Sequence, residues 1–427
     1  MATKLLFRIA ALAAALLAAA ACVYPYEVDI DYNGDLPLVV EGDIHIGSLT
    51  TVRLSYVQPF KTTDEDYYRI PFATGYIEGE DGTRIEQDDP GAVIPGFPDS
   101  PGYLTNDGWQ TYSSSYLSGF PSNTLTFHTE DLSLGQRYRL HLETYNLESG
   151  SVANVFESEW LTPLPAPTID GLSYSHHPEY EELWVGLSMH CHGSHYFRWT
   201  FSETWEYHSD IPTSYEYKPY LKKVGRYEGP TLYYCWDSAN SSSINIFSTA
   251  NQTEDRFEEL AFHTIPLNNR RLQVMYRIKV QLEAMSENAY NYWYNIQQNS
   301  EGQGSIFAPT PSEMASNIHC ITDPDIQVMG YLNAAVQTDA TMYYDNRIEG
   351  YYKPGFPFER FDEKVSVNEL DSMAYWYAHG FLPYQEIYES TMGIEPTHYM
   401  WAQGICIDCR KLGGTKVKPE GWPTPDR

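Results

Sequence analysis

The chain has 427 residues, enough for two or three ordinary domains, and its 27 Lys and Arg against 57 Asp and Glu give a formal net charge of −30. Such an acidic chain is poorly suited to neutralising phosphates, which argues against nucleic-acid binding. An anionic membrane surface would repel it, so any membrane attachment needs a lipid or a spanning helix. Aromatic residues make up 15% of the chain, more than disordered chains contain. The composition therefore indicates a folded protein that faces an extracytoplasmic space.

Residues 1–21 have the pattern of a lipoprotein signal peptide. Lys4 and Arg8 precede a short apolar run, and Cys22 directly follows Ala19-Ala20-Ala21. A basic start, an apolar run and small residues at the cleavage site are typical of secretory signals, and this run is too short to span a bilayer. We expect cleavage before Cys22, with lipid on its thiol as the membrane anchor.

Apolar residues at alternate positions predict β-strands through the first half of the chain. The predicted strands are residues 38–44, 51–55, 75–80, 125–128 and 138–144. Asp81-Gly82 predicts a hairpin turn, because glycine tolerates positive φ. Many short strands without helical periodicity indicate a sandwich or barrel. The prolines between 162 and 167 cannot pair in a sheet, so we place the end of an N-terminal β domain, residues 22–165, at this point.

The second half continues as a β domain, residues 166–345, followed by a C-terminal cap segment, residues 346–427. Strands are predicted at residues 183–189, 196–205, 231–236, 272–284, 326–334 and 341–344. Ser286 is a suitable N-cap for a helix over 287–298. A second helix is predicted over 369–379, capped by Asn368 and ended by Gly380. The last forty residues are rich in Gly, Pro and Cys and are predicted to be irregular.

The ordered motifs of the chain resemble those of the domain of unknown function 4249 family. The similarity begins at the acidic alternating segment after Cys22 and ends near the C-terminus. It includes Val39-Val40-Glu41-Gly42, Tyr196-Phe197-Arg198-Trp199, Tyr234-Cys235-Trp236, Gly330-Tyr331, and Cys406-Ile407-Asp408-Cys409 followed by Lys418-Pro419 and Trp422. The order and spacing of the motifs carry this resemblance.

The resemblance implies a lipoprotein of the outer membrane, on its cell-surface or periplasmic face, built mainly from immunoglobulin-like β-sandwiches. It also implies a partner, a TonB-dependent outer-membrane receptor, and it implies no catalytic residue, cofactor or known ligand. The expected fold is therefore mainly β, with two immunoglobulin-like sandwiches, a short helix insertion and a disulfide-stapled C-terminal segment.

Cysteine usage predicts disulfides in an oxidising compartment. Four cysteines lie in motifs that resemble the family: Cys235, Cys320, Cys406 and Cys409. These four allow three pairings, and the sequence leaves the choice open. Zinc binding and redox activity are the alternatives for Cys406-x-x-Cys409, although zinc needs a second ligand pair and a redox motif needs a thioredoxin-like setting.

A histidine-rich segment is a weak candidate for metal binding. On a strand, His190 and His192 would share one face, with His195 close by, but no carboxylate that would orient them is evident. Surface histidines over a buried Cys191 are the simpler interpretation. We therefore predict no bound metal and no cofactor.

The long Gly-, Pro- and Ser-rich stretch from Asp88 to Gly119 is a weak candidate for contact with a partner or ligand. Its aromatic residues suit such a contact, although packing over a local apolar cluster explains them equally well. They are Phe97, Tyr103, Trp109, Tyr112 and Tyr116.

The function expected from the sequence is a non-catalytic binding or accessory lipoprotein of a TonB-dependent nutrient uptake system. The sequence contains no nucleophile elbow, no His-Glu-x-x-His motif, no phosphate loop and no dinucleotide fingerprint. A surface adhesion or structural lipoprotein is the alternative, and a hydrolase with an unrecognised site is a lesser one.

Overall fold

The computed structural model describes residues 37–57, 73–88, 102–105, 108–111, 123–146, 149, 151–301, 316–354, 361–389 and 395–423. For residues 102–105, 108–111 and 299–301 only the backbone is described. The predicted signal peptide and Cys22 lie outside the described residues. Within the described part the protein is mainly β, as the sequence predicts.

Most of the described elements are strands of between 2 and 13 residues, and few are helices. The strands are β1 (Leu38–Gly42), β2 (Ile44–His45), β3 (Leu49–Tyr56), β4 (Ala73–Gly79), β5 (Arg84–Glu86), β6 (Gly102–Thr105), β7 (Gly108–Thr111), β8 (Thr124–His128), β9 (Tyr138–Tyr145), β10 (Val152–Ser158), β11 (Thr168–His177), β12 (Glu182–His190), β13 (Tyr196–His208), β14 (Tyr215–Lys218), β15 (Lys223–Arg226), β16 (Tyr234–Asn240), β17 (Ile246–Ser248), β18 (Arg256–Pro266), β19 (Met275–Ala284), β20 (Ile318–Cys320), β21 (Val328–Met329), β22 (Ala334–Ala335), β23 (Gln337–Asp345), β24 (Asp362–Ser366), β25 (Phe381–Ile387) and β26 (His398–Gln403). The helices are α1 (Glu287–Glu301), α2 (Asn346–Glu349), α3 (Leu370–Ala378) and α4 (Gly404–Ile407).

Two sheets form the N-terminal part of the fold, in the orders β21-β1-β3-β8 and β20-β10-β9-β4-β5. Alternate residues of β4 are buried, because successive side chains of a strand point to opposite faces. One hydrophobic core contains residues of both sheets, among them Leu54, Ile77, Phe127 and Leu140. Burying such side chains contributes about 1.5–3 kcal/mol each, so this shared core holds the two sheets face to face.

The chain returns to these first sheets after strand β19, before it adds strand β23 to the next pair of sheets. Leu38 pairs with Val328 in parallel, and Phe156 pairs with Cys320. At Gly330, φ is +119°, and a Cβ atom would lie 2.1 Å from the carbonyl oxygen of Val40, so this close approach requires glycine. The predicted boundaries 22–165, 166–345 and 346–427 stay a prediction, as does the immunoglobulin-like topology.

A second pair of sheets follows, in the orders β11-β12-β18 and β16-β13-β19-β23, with β17 also on β13. Val185 and Ile265 of the first sheet share a hydrophobic core with Phe201 and Ile278 of the second. The long strands β13 and β19 pair over ten residues. They form the rigid centre of this half.

The C-terminal segment contains a three-stranded sheet, β24-β26-β25, that the sequence analysis did not predict. Helix α3 and the β14–β15 hairpin lie against it around a core that contains Tyr217, Met373 and the fully buried Trp401. The sequence pattern missed this sheet because β24 is largely charged and the register of β25 shifts after Pro383.

Most of the predicted elements are confirmed, with shifted ends. Ser286 caps α1, since its Oγ accepts the Ala289 N–H at 3.2 Å. The predicted cap of α3 is wrong: Glu369 occupies the N-cap, without a side-chain capping bond. Gly380 follows that helix with φ of +83°, as the sequence predicts.

Candidate ligand-binding cavity

A cavity of about 540 Å³ lies where strands β13 and β16 meet the last residues of the chain. This volume falls within the range of small-molecule sites, about 300–1,000 Å³. Aromatic side chains line it together with a few charged groups. The aromatic lining consists of Tyr233, Tyr234, Trp236 and Trp422.

The alternation of strand β16 decides which of its side chains face the cavity. Tyr234 and Trp236 line the cavity, whereas Cys235 between them is fully buried in the sandwich core. On the neighbouring strand, Glu206 pairs with Trp236, and it also lines the cavity. One face of the β13–β16 pair therefore forms the cavity wall, and the other face contributes to the core.

The C-terminal segment is fixed over this wall by a disulfide between Cys235 and Cys409, whose Cα atoms lie 5.7 Å apart. Two backbone hydrogen bonds between Trp236 and Thr415, of 2.9 and 2.7 Å, continue the attachment. The Tyr207 hydroxyl donates to the Cys409 carbonyl at 2.8 Å. These bonds hold the segment after Cys409 in position to close the cavity.

Trp422 closes the cavity from the far side. Its indole N–H donates to Oε2 of Glu206 at 2.9 Å, and its side chain is buried against Val274 and Met275. The guanidinium of Arg277 lies 5.4 Å from the Trp422 ring. Because the hydrogen bond joins residues 206 and 422, it connects the sheet wall directly to the end of the described chain.

Positive charge is concentrated around the cavity. Arg347, Lys416 and Lys418 line it, with Glu206 as the carboxylate among the described lining residues. Lys416 donates to the Tyr234 carbonyl and lies 3.6 Å from Sγ of Cys409. Burial lowers the pKa of this lysine. A bound anion would offset the cost of burying its ammonium group.

The sequence analysis did not predict this cavity, although a signal was present. Four of the 27 cationic residues of a strongly acidic chain fall between residues 410 and 418. Such a local excess of cations indicates a segment that could bind an anion. The motifs at 234–236 and 418–422 were recognised, but their spatial convergence depends on the fold.

The disulfide prediction is confirmed for Cys235 and Cys409, which are bonded to each other, and is wrong for Cys320 and Cys406, which form no disulfide within the described part of the chain. Cys320 lies in the core of the first sheets, and its Sγ is 3.3 Å from Oγ1 of Thr322. Cys406 is buried in a separate cluster of the C-terminal segment. The cysteines of the Cys406-x-x-Cys409 motif therefore do not pair with each other. Among the described residues no cysteine belongs to a converging group of three possible metal ligands.

The histidine segment has a different arrangement from the one predicted. Strand β12 ends at His190, and His192 lies in the following turn with φ of +51°, so the two do not share a strand face. Their rings nevertheless lie 3.9 Å apart. His190 Nε2 is 2.8 Å from Asp255, a carboxylate that the sequence analysis did not associate with it, and His192 Nε2 is 2.8 Å from Thr168.

His195 takes no part in that ring contact, and its Nδ1 lies 3.5 Å from Oγ1 of Thr249. Cys191 is buried, and burial raises the pKa of its thiol to about 11, which keeps the thiol protonated. The described residues of this segment do not form a converging group of three metal ligands. The histidines are instead held by individual polar neighbours.

The predicted aromatic loop is described only in part. Tyr103 and Trp109 belong to the β6–β7 hairpin, where Tyr103 is paired with Gln110. The other three aromatic residues of that prediction lie outside the described residues: Phe97, Tyr112 and Tyr116. The role of the loop in partner contact stays a prediction.

A buried charged group joins the first pair of sheets to the second. Arg198 of β13 donates to the carboxylates of Asp43 and Glu283, both almost fully buried. His45 Nε2 lies 3.5 Å from Glu283, and the Asn333 backbone N–H donates to Asp43 at 2.7 Å. The possible ligand atoms of Asp43, His45 and Glu283 lie within 4.8 Å of one another. Since Arg198 already supplies positive charge to both carboxylates, we interpret the group as an ion-pair network that joins the sheets.

The described helices include none long and apolar enough to cross a membrane. In comparisons with known proteins, residues 23–341 match a family model described as "Domain of unknown function (DUF4249)". The match covers most of the chain and agrees with the resemblance noted in the sequence. A search of curated proteins finds no match.

Proposed function

We propose that this chain, which belongs to the domain of unknown function 4249 family, is a non-catalytic, lipid-anchored binding protein of the outer membrane. In this proposal it binds a small ligand in the cavity between strand β16 and the C-terminal segment. It then serves as an accessory component of a TonB-dependent nutrient uptake system.

The cavity is the observation that carries the binding part of the proposal. It combines a volume of about 540 Å³, aromatic walls and a small number of charged groups, which is the usual composition of a small-molecule site. Its walls are fixed by the Cys235–Cys409 disulfide and by the bond from Trp422 to Glu206. A preformed site loses little entropy when a ligand binds.

The anchoring part of the proposal is supported by the sequence before Cys22, with its basic start and the small residues Ala19-Ala20-Ala21 next to the cysteine. The partner is supported by the resemblance to lipoproteins that accompany TonB-dependent receptors. A lipid anchor would keep the cavity near a receptor in the same membrane and so raise the local concentration of captured ligand.

Metabolic labelling with a fatty acid tests the anchor. The wild-type protein is expected to incorporate the label and to fractionate with the outer membrane, whereas Cys22→Ala is expected to lose both properties. Val23→Ala keeps the thiol and serves as the matched control. A Cys22→Ala protein that still carries the label and still fractionates with the outer membrane would contradict the anchoring proposal.

A deletion strain separates uptake from adhesion, the alternative function. If the protein serves uptake, the strain is expected to lose growth on the nutrient that the partner TonB-dependent receptor imports. It is expected to keep its attachment to surfaces. Loss of attachment with unchanged growth would support the adhesion alternative instead. A screen of glycan and peptide hydrolysis with the purified protein tests the hydrolase alternative.

A further inference from the structure

The charge of the cavity is opposite to that of the protein. The chain carries a formal charge of −30, yet three cations and one carboxylate occur among the described residues that line the cavity. Clefts that collect charge of one sign raise the local concentration of ligands of the other sign. The cavity is therefore expected to favour an anion over neutral or cationic small molecules.

The three cations differ in whether a carboxylate of the protein already neutralises their charge. Arg347 is held by Asp345 through two hydrogen bonds, from Nε at 2.7 Å and from Nη2 at 2.6 Å. Lys416 donates to a backbone carbonyl and to a disulfide sulfur, neither of which is negatively charged. Burial lowers its pKa, and the charge of Arg410 adds to this effect, whereas the negative charge of Asp408 acts in the opposite direction. Lys416 is therefore the group that gains most from a ligand carboxylate.

A second donor in the same wall also lacks an acceptor. The indole nitrogen of Trp236 is buried and has no hydrogen-bond partner among the described residues, whereas that of Trp422 is bonded to Glu206. Buried donors without partners are uncommon and costly. The Trp236 side chain lines the cavity, but its nitrogen is not exposed there, so the ammonium of Lys416 is the donor available to the acceptor oxygens of a ligand.

The aromatic lining of the cavity suits a ligand that contains a ring. Tyr233 stacks on His208 with centroids 4.6 Å apart and meets Tyr234 edge-on at 4.8 Å, so the aromatic surfaces are held in fixed orientations. Flat aromatic surfaces suit the apolar face of a sugar or an aromatic ring.

We propose that the cavity binds a small cyclic carboxylate, with its carboxylate at Lys416 and its ring against the aromatic side chains of the cavity wall. This inference rests on the proposed function, because it names the chemical class of the ligand that the binding protein takes. A sugar acid and an aromatic acid share this chemistry, and the experiment below distinguishes them.

Calorimetric titration of the purified chain with two matched pairs of probes tests the inference. The pairs are glucuronate with glucose, and benzoate with benzyl alcohol. In at least one pair the acid is expected to bind about tenfold or more tightly than its neutral partner, as a charge-assisted contact requires. The pair that shows the preference identifies the ring. Equal binding within both pairs, or no binding of any probe, would overturn the inference.

Substitutions in the cavity wall test which residues cause the preference for the acid. Lys416→Met is expected to remove the preference for the acid, and Lys418→Met, at an exposed site on the same wall, is expected to reduce it even if the first variant folds poorly. Lys279→Met is the control, because Lys279 pairs with Asp339 at 3.4 Å on strands β19 and β23 and does not line the cavity. An acid preference that survives both cavity variants contradicts the inference. The proposed function is judged separately, by anchoring and receptor recovery.

Discussion

The indole nitrogen of Trp422 donates a hydrogen bond to the carboxylate of Glu206 at 2.9 Å, across 216 residues of sequence. Both side chains are more than nine-tenths buried. This bond joins the end of the described chain to the central strand β13, so the segment that carries Lys416 is held at both of its ends, by Trp422 and by the disulfide.

Trp422→Phe is expected to weaken binding in the cavity and to lower the free energy of unfolding by about 1–3 kcal/mol. The reason is that a buried carboxylate loses a donor while the apolar packing is largely kept. Denaturation monitored by circular dichroism and probe titration measure the two effects. Trp184→Phe is the matched control, because Trp184 also donates to a carboxylate, that of Glu182 at 2.8 Å, but does not line the cavity. Equal loss of binding in both variants would contradict this prediction.

Removing the disulfide is expected to destabilise the protein and open the cavity. Cys235→Ser and Cys409→Ser each break the same bond, which spans 174 residues, and each is expected to lower the free energy of unfolding by about 2–5 kcal/mol. The double variant should have about the same free energy of unfolding as each single variant, because all three lack the same bond. A reductant should lower the melting temperature of the wild type and leave the double variant unchanged. A wild type that does not respond to complete reduction would show that the bond contributes nothing.

The ion-pair network between the two pairs of sheets predicts that replacing Arg198 strongly lowers the free energy of unfolding. Arg198→Met leaves the carboxylates of Asp43 and Glu283 buried without their cation, and we expect a loss of about 3–5 kcal/mol in the free energy of unfolding. Lys279→Met breaks an exposed pair and is expected to cost at most about 1 kcal/mol. Urea denaturation of both variants makes the comparison, and similar losses would argue against the network.

The same network predicts a pH dependence through His45. Burial alone lowers the pKa of His45, but the hydrogen bond and negative charge of Glu283 outweigh it, so the pKa lies above its ordinary value of 6.5. Protonated His45 therefore contributes stability that is fully present below pH 6.5 and is lost as the pH rises through the higher pKa of the folded state.

His45→Gln tests this dependence. The stability difference between wild type and variant is expected to shrink as the pH rises from about 6 to about 9. At the acid end, burial raises the pKa of Glu283, but the charge of Arg198 and the bonds to its neighbours outweigh it and leave the pKa below 4.5. Stability from Glu283 is thus lost only as the pH falls through that lower value. His319→Gln, at an exposed site, controls for loss of a histidine. A difference that grows with pH would reverse the assigned sign.

Local patterns allowed much of the fold to be predicted, while its long-range pairings could not be. The alternation over 272–284 predicts strand β19, but Leu272 lies in a turn because the Asn269 side chain accepts the Arg271 N–H at 3.0 Å. Strand β19 therefore begins at Met275, three residues later than predicted, and the alternation of apolar residues gives no sign of this turn.

The candidate site lay beyond sequence analysis for a different reason. Its walls come from residues near 206, 236, 347 and 420, and only the pairing of strands and the choice of one disulfide among three possible pairings bring them together. The carboxylate beside His190 was missed in the same way, because Asp255 is 65 residues away in the chain. Sequence motifs identified the parts of the cavity without their arrangement.

Affinity purification from detergent-solubilised outer membranes tests the central proposal most directly. The tagged wild-type protein is predicted to bring down a TonB-dependent receptor, identified by mass spectrometry, while Cys22→Ala, which lacks the proposed anchor, recovers much less of it. Repeated purification of the wild-type lipoprotein without any such receptor would contradict the proposal that this chain is an accessory component of TonB-dependent uptake.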